Sequence, residues 1–61
     1  MKKRLRTGYA IFRIDISGRI SMVRWEPLSM YAAMALEVIR LSKSIEATYY
    51  MQEVEMMTEK E

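Results

Sequence analysis

The chain has no cysteine and no histidine, and only one proline and two glycines in 61 residues. Without cysteine there is no disulfide scaffold and no thiolate metal site. Without histidine the commonest general base, pH switch and zinc ligand are all missing. Carboxylates are the remaining metal ligands, and none fall at ligand spacing, so no metal and no cofactor is expected. A nucleophile elbow, a P-loop and a glycine-rich phosphate loop are likewise absent. Asp15 and Glu26 come nearest to a carboxylate pair, but each has a plainer role. Asp15 reads as a turn charge matched to Arg19, and Glu26 as a carboxylate near the positive start of a helix. The expectation is no catalytic residue, no enzyme activity and no small-molecule substrate.

Long hydrophobic runs are missing too. The best stretch, Leu28 to Leu41, is too short to cross a membrane and carries Glu37 and Arg40. The basic start from Met1 to Arg6 resembles the front of a signal peptide, but Arg13 and Asp15 interrupt the apolar run behind it. No membrane partner and no secretion is expected, and a cytoplasmic setting agrees with the absent cysteines.

What the chain does have is apolar surface, with 51% of its residues hydrophobic. A domain of this size buries only about 60% of its unfolded surface, and its single core is marginal without a staple. Disulfides and metals are excluded, so the surplus points to a homodimer or a higher oligomer. Charge is unevenly spread as well. Residues 1–25 carry Lys2, Lys3, Arg4, Arg6, Arg13, Arg19 and Arg24 against Asp15, a net +6. Residues 26–61 carry Arg40, Lys43 and Lys60 against seven glutamates, a net −4, which closes on the +2 of the whole chain.

The pattern divides the chain into a basic, flexible tail over 1–7 and one domain over 8–61. Ala10, Phe12, Ile14 and Ile16 alternate with Tyr9, Ile11, Arg13 and Asp15, the period of a strand. Ser17 and Gly18 mark a turn, and a second alternating run leads to Trp25, giving a hairpin over 8–26. A three-residue loop, Ile16 to Gly18 with Gly18 left-handed, sets Asp15 opposite Arg19, Arg13 opposite Ser21, Ile11 opposite Val23 and Tyr9 opposite Trp25. It gathers Ala10, Phe12, Ile14, Ile20 and Met22 on the other face. After Pro27 no glycine or proline follows, and Ala, Met, Leu and Glu dominate. One helix of about thirty residues, spanning roughly 45 Å, is therefore expected over 27–58. Ser42, Lys43, Ser44 and Thr48 are its weakest points.

That helix would carry two apolar stripes. Tyr31, Val38, Ile45, Tyr49 and Met56 lie on a heptad-spaced line, and Ala32, Leu36, Ile39, Tyr50 and Val54 lie on a second. Two stripes imply two neighbours, the hairpin and a partner helix, so the first five are the expected oligomer interface. The fold class expected is α+β, a two-stranded antiparallel hairpin followed by one long helix (ββα), homo-oligomeric.

For function, the basic front is the strongest signal. Lys2, Lys3, Arg4 and Arg6 in the tail, with Arg13, Arg19 and Arg24 on the hairpin, suit phosphate oxygens, and Tyr9 and Trp25 offer rings for unpaired bases. The leading expectation is nucleic-acid binding by the hairpin and tail. The alternative is a protein–protein adaptor or inhibitor, with the methionines, Met30 and Met51 above all, as an adaptable surface. In order and size the hairpin-then-helix arrangement resembles the small dimeric inhibitors that phages direct against host nucleic-acid enzymes such as uracil-DNA glycosylase. The resemblance implies a host-protein partner and carries over no residue.

Overall fold

A computed structural model describes the backbone of residues 2–60 and the side chains of residues 4–57. It contains β1 (Lys2–Asp15), β2 (Ile20–Pro27), one turn of 3-10 helix (Leu28–Met30), α1 (Tyr31–Leu41) and β3 (Ala47–Lys60). The strands form one sheet in the order β2-β1-β3, with β1 antiparallel to both neighbours. β2 and β3 are therefore parallel to each other, and α1 is the crossover between them.

The hairpin turn follows from its residues. Gly18 takes a positive φ of 89°, its N–H donates to the Asp15 carbonyl at 2.9 Å, and the Asp15 N–H donates to the Arg19 carbonyl at 3.0 Å. One carboxylate oxygen of Asp15 accepts from the Ser17 hydroxyl (2.6 Å), the Ser17 N–H (3.0 Å) and the Arg19 N–H (3.0 Å). Short polar side chains bonding to backbone two to four residues on are a common way to close such loops. The expected pairing holds through Phe12 with Met22 and then changes. Ile11 pairs with Arg24 and Ala10 with Trp25, so Val23 is the extra residue of a bulge. A one-residue slip moves every following side chain to the opposite face. Trp25 thus leaves Tyr9 and joins the face of Ala10 and Phe12.

The long helix over 27–58 is overturned, and with it the ββα fold and the resemblance built on it. Helix ends at Leu41, where the Ser42 N–H donates to Val38 and the Ser44 N–H to Leu41. The break falls at the Ser42–Ser44 weak point. Beyond it Ala47–Lys60 forms a fourteen-residue strand paired along all of β1, from Lys2 with Lys60 to Asp15 with Ala47. Helix propensities among these residues differ by at most about 0.7 kcal/mol each. A ladder this long, with cross-strand pairs worth about 0.2–1 kcal/mol apiece, outweighs them. Residues 2–7, expected as a tail, are the first half of β1.

The sheet has two unlike faces. On the helix face lie Tyr9, Ile11 and Arg13 of β1, Arg24 and Glu26 of β2, and Tyr49, Met51 and Glu53 of β3. α1 lays Met34 against this face, and Met34 and Ile11 are both fully buried. The Tyr9 and Tyr31 rings meet edge to face, centroids 5.0 Å apart. Among the described residues, no second layer covers the other, open face. Its own cover is the Trp25 indole, which crosses Gly8 on β1 and donates from Nε1 to the Val54 carbonyl on β3 at 3.3 Å. Gly8 and Ala10, the two small residues at that crossing, are buried.

Candidate nucleic-acid interface on the open face

Alternation along three strands puts Arg4, Arg6, Phe12 and Ile14, then Ile20, Met22 and Trp25, then Tyr50, Gln52, Val54 and Met56 on the open face. Phe12 and Tyr50 are cross-strand partners, and their rings stack at 5.4 Å with planes 25° apart. Ile20 and Met22 remain 56% and 46% exposed. The described carboxylates are all elsewhere. Asp15, Glu26, Glu53 and Glu55 hold helix-face positions, Glu37 is on α1, and Glu46 lies in the loop before β3. The open face is therefore apolar and aromatic, and its described charged residues are Arg4 and Arg6, both exposed and both at one end.

The expected cationic surface is divided. Arg13 sits on the helix face and donates from Nε to the Tyr49 hydroxyl at 3.2 Å. Arg24, on the same face, pairs with Glu26 at 3.0 Å. Arg19 is exposed in the turn. Lys2 and Lys3 have side chains outside the described residues, although their backbone belongs to β1. Tyr9 and Trp25, expected as a pair, are on opposite faces. Sequence reasoning missed the placement of Trp25 over Gly8 and the Phe12–Tyr50 stack. The signal for the first was Gly8 and Ala10, small residues two apart on one face of an otherwise bulky strand. The second depends on β3, where the residue pattern favours a helix.

The expected helix seam does not form either. Tyr31 is half exposed at the start of α1, Val38 turns partly inward, and Ile45 is fully exposed in the loop. Tyr49 and Met56 are on opposite faces of β3.

Hydrogen bonding shifts three titrations. The Ser17 hydroxyl first, and then the Arg19 N–H, hold the Asp15 carboxyl below its usual range. The Arg40 guanidinium does the same for Glu37, which in turn raises Arg40. None of the three lies on the open face. A shallow pocket of about 180 Å³ at the turn end of the sheet is lined by Ile14, Asp15, Ile16, Ile45 and Thr48 among others. Its one strand carboxylate, Asp15, is occupied by the turn. Among the described residues no three metal-ligating acids come together, and no helix is long and apolar enough to cross a membrane. No family model, curated protein or solved structure matches the chain.

The chemistry left on the open face is that of a ring platform beside guanidinium groups. The Trp25 indole crosses Gly8 and stays partly exposed, so it offers a ring for stacking. Arg6 and Arg4 follow Gly8 on the same face at steps of about 7 Å. The Arg6 guanidinium has donors suited to phosphate oxygens.

Proposed function

We propose that the chain is a non-enzymatic binding protein that takes single-stranded nucleic acid on its open sheet face, with a base on Trp25 and a phosphate on Arg6. The observation that carries this reading is the separation of charge between faces. Among the described residues no carboxylate lies on the open face to repel a polyanion, and the Trp25 indole already crosses Gly8 there. Stacking on an aromatic side chain contributes about 1–3 kcal/mol per base and tolerates any sequence. Sheet faces bearing aromatics are a recurrent platform for unpaired bases. Arg13 and Arg24, on the helix face, take no part. The absent cysteines support a cytoplasmic setting.

The test uses the single tryptophan as its own reporter. Short single-stranded oligonucleotides at low salt should quench Trp25 emission. Arg6→Gln should weaken binding and lower the salt slope by about 0.7, the value for one phosphate contact on a single strand. Arg13→Gln and Arg24→Gln should leave both unchanged. No quenching and no anisotropy change up to about a hundred micromolar, where even non-specific binding is detectable, would defeat the reading. The exposure of Ile20 and Met22 favours a second reading, docking of another protein on this face. An apolar interface of that kind responds little to salt.

A further inference from the structure

We propose that two copies of this chain join edge to edge along β3, antiparallel, with Gln52 on the two-fold axis, making one continuous six-stranded sheet. The pairing goes beyond the nucleic-acid reading and holds whether or not the open face binds anything.

The first argument is an asymmetry between the two edges of the sheet. β2 ends in Pro27, carries the Val23 bulge and pairs β1 only from Gly8 to Ile14. Bulges, prolines and short length are the usual guards against edge pairing. β3 has none of them. It runs fourteen residues without glycine or proline, pairs β1 without a register shift, and leaves its outer backbone groups unpaired. Such an edge is completed by another extended strand, because only a strand supplies N–H and C=O groups at the matching repeat.

The second argument selects a copy of the same chain. The described hydrophobic residues that are fully buried are Ala10, Ile11 and Met34. The radius of gyration is 13.1 Å. A compact chain of this length would have about 10.5 Å. The accessible surface is 4812 Å². A monomer of this mass would show about 4200 Å². A sheet this open lacks the interior that a domain of its length needs. Like edges close the assembly at two copies, whereas joining β3 to the β2 edge of the next molecule would run on as a filament.

The third argument selects the register, from like-charge pairs and from the length of strand paired. With a two-fold axis perpendicular to the sheet, paired positions share a face, so a single residue sits on the axis. Val54 there would set Glu53 opposite the partner's Glu55, and Glu53 there would oppose itself. Like charges directly opposite are destabilising. Gln52 on the axis sets Tyr50 beside the partner's Val54 and extends the apolar open face across the junction. On the helix face it sets Met51 beside the partner's Glu53 and Tyr49 beside the partner's Glu55. Eleven residues, from Ala47 to Met57, are then paired, all within β3. They make about ten backbone hydrogen bonds, as many as an interface of standard size carries.

The cysteine-free chain makes the test direct. Directly opposite residues in an antiparallel ladder have Cα atoms about 4.5–5.5 Å apart, within disulfide range. Gln52 and Met22 are both exposed, so neither substitution disturbs the core. Sedimentation of the unmodified protein at micromolar concentration should give a dimer. Under mild oxidation Gln52→Cys should convert to covalent dimer at least about tenfold faster than Thr48→Cys or Met22→Cys, because only residue 52 meets its own copy at disulfide distance. A well-folded monomer in sedimentation overturns the proposal. So does a dimer in which Met22→Cys cross-links fastest, since that places the contact on the open face. A maximum elsewhere on β3 overturns the register.

Discussion

Gly8→Ala separates this structure from an ordinary hairpin by the sign of its effect. A strand glycine with no special contact is stabilised by alanine by about 0.4–1 kcal/mol, because the unfolded chain loses freedom. Here a methyl group at residue 8 would lie 2.5 Å from Cζ2 and 2.7 Å from Cε2 of Trp25, with the Glu26 carbonyl oxygen nearer still. The oxygen belongs to the β2 backbone and cannot swing away as a side chain can. Overpacking of this kind costs about 1–3 kcal/mol. The indole is pushed aside as well, and losing its bond to the Val54 carbonyl adds about 1 kcal/mol. A net loss of about 2–4 kcal/mol is expected, against about 3–9 kcal/mol for the whole stability of a chain this long. In a domain of this size that lowers the melting temperature by about 10–30 °C. The assay is thermal melting by circular dichroism, read beside the emission of the lone tryptophan, which should shift to the red. Adding Trp25→Leu to Gly8→Ala should restore part of the loss but not all, because the Glu26 contact remains. A Gly8→Ala protein that melts at or above the original temperature with unchanged emission would show that the indole does not cross Gly8.

Two further outcomes follow from the core and the turn. Met34→Ala should cost about 2–5 kcal/mol because the side chain is fully enclosed, while Leu36→Ala on the outer side of α1 should stay within about 0.5 kcal/mol. Equal denaturant midpoints would mean that α1 does not lay Met34 on the sheet. The lowered Asp15 titration sets the sign of a pH effect: its contribution is complete above the ordinary carboxylate value of about 4 and is lost as pH falls through the depressed folded value. Asp15→Asn should therefore flatten the fall in melting temperature below about pH 4, and an unchanged acid slope would count against the turn as drawn.

Some of this protein was already determined by its sequence. The hairpin turn was readable because Gly18 is the one residue there suited to a positive φ, and because Asp15, Ser17 and Arg19 supply the bonds that close it. The open-face set of Ala10, Phe12, Ile14, Ile20 and Met22 followed from period-two alternation, and the surplus of apolar residues followed from length. Nothing local marks Val23 as a bulge. Its extra residue is tolerated because Gly8 and Ala10, fifteen and thirteen positions earlier, leave room for the indole that the slip turns over. Nor does anything local make a strand of residues 47–60. Alanine, methionine and glutamate there favour a helix slightly, residue by residue, and an isolated peptide of that sequence has no partner to pair with. Tertiary structure decided the matter by presenting the whole length of β1. Its free edge converts fourteen weak local preferences into one continuous ladder, and in doing so it divides the arginines between two faces.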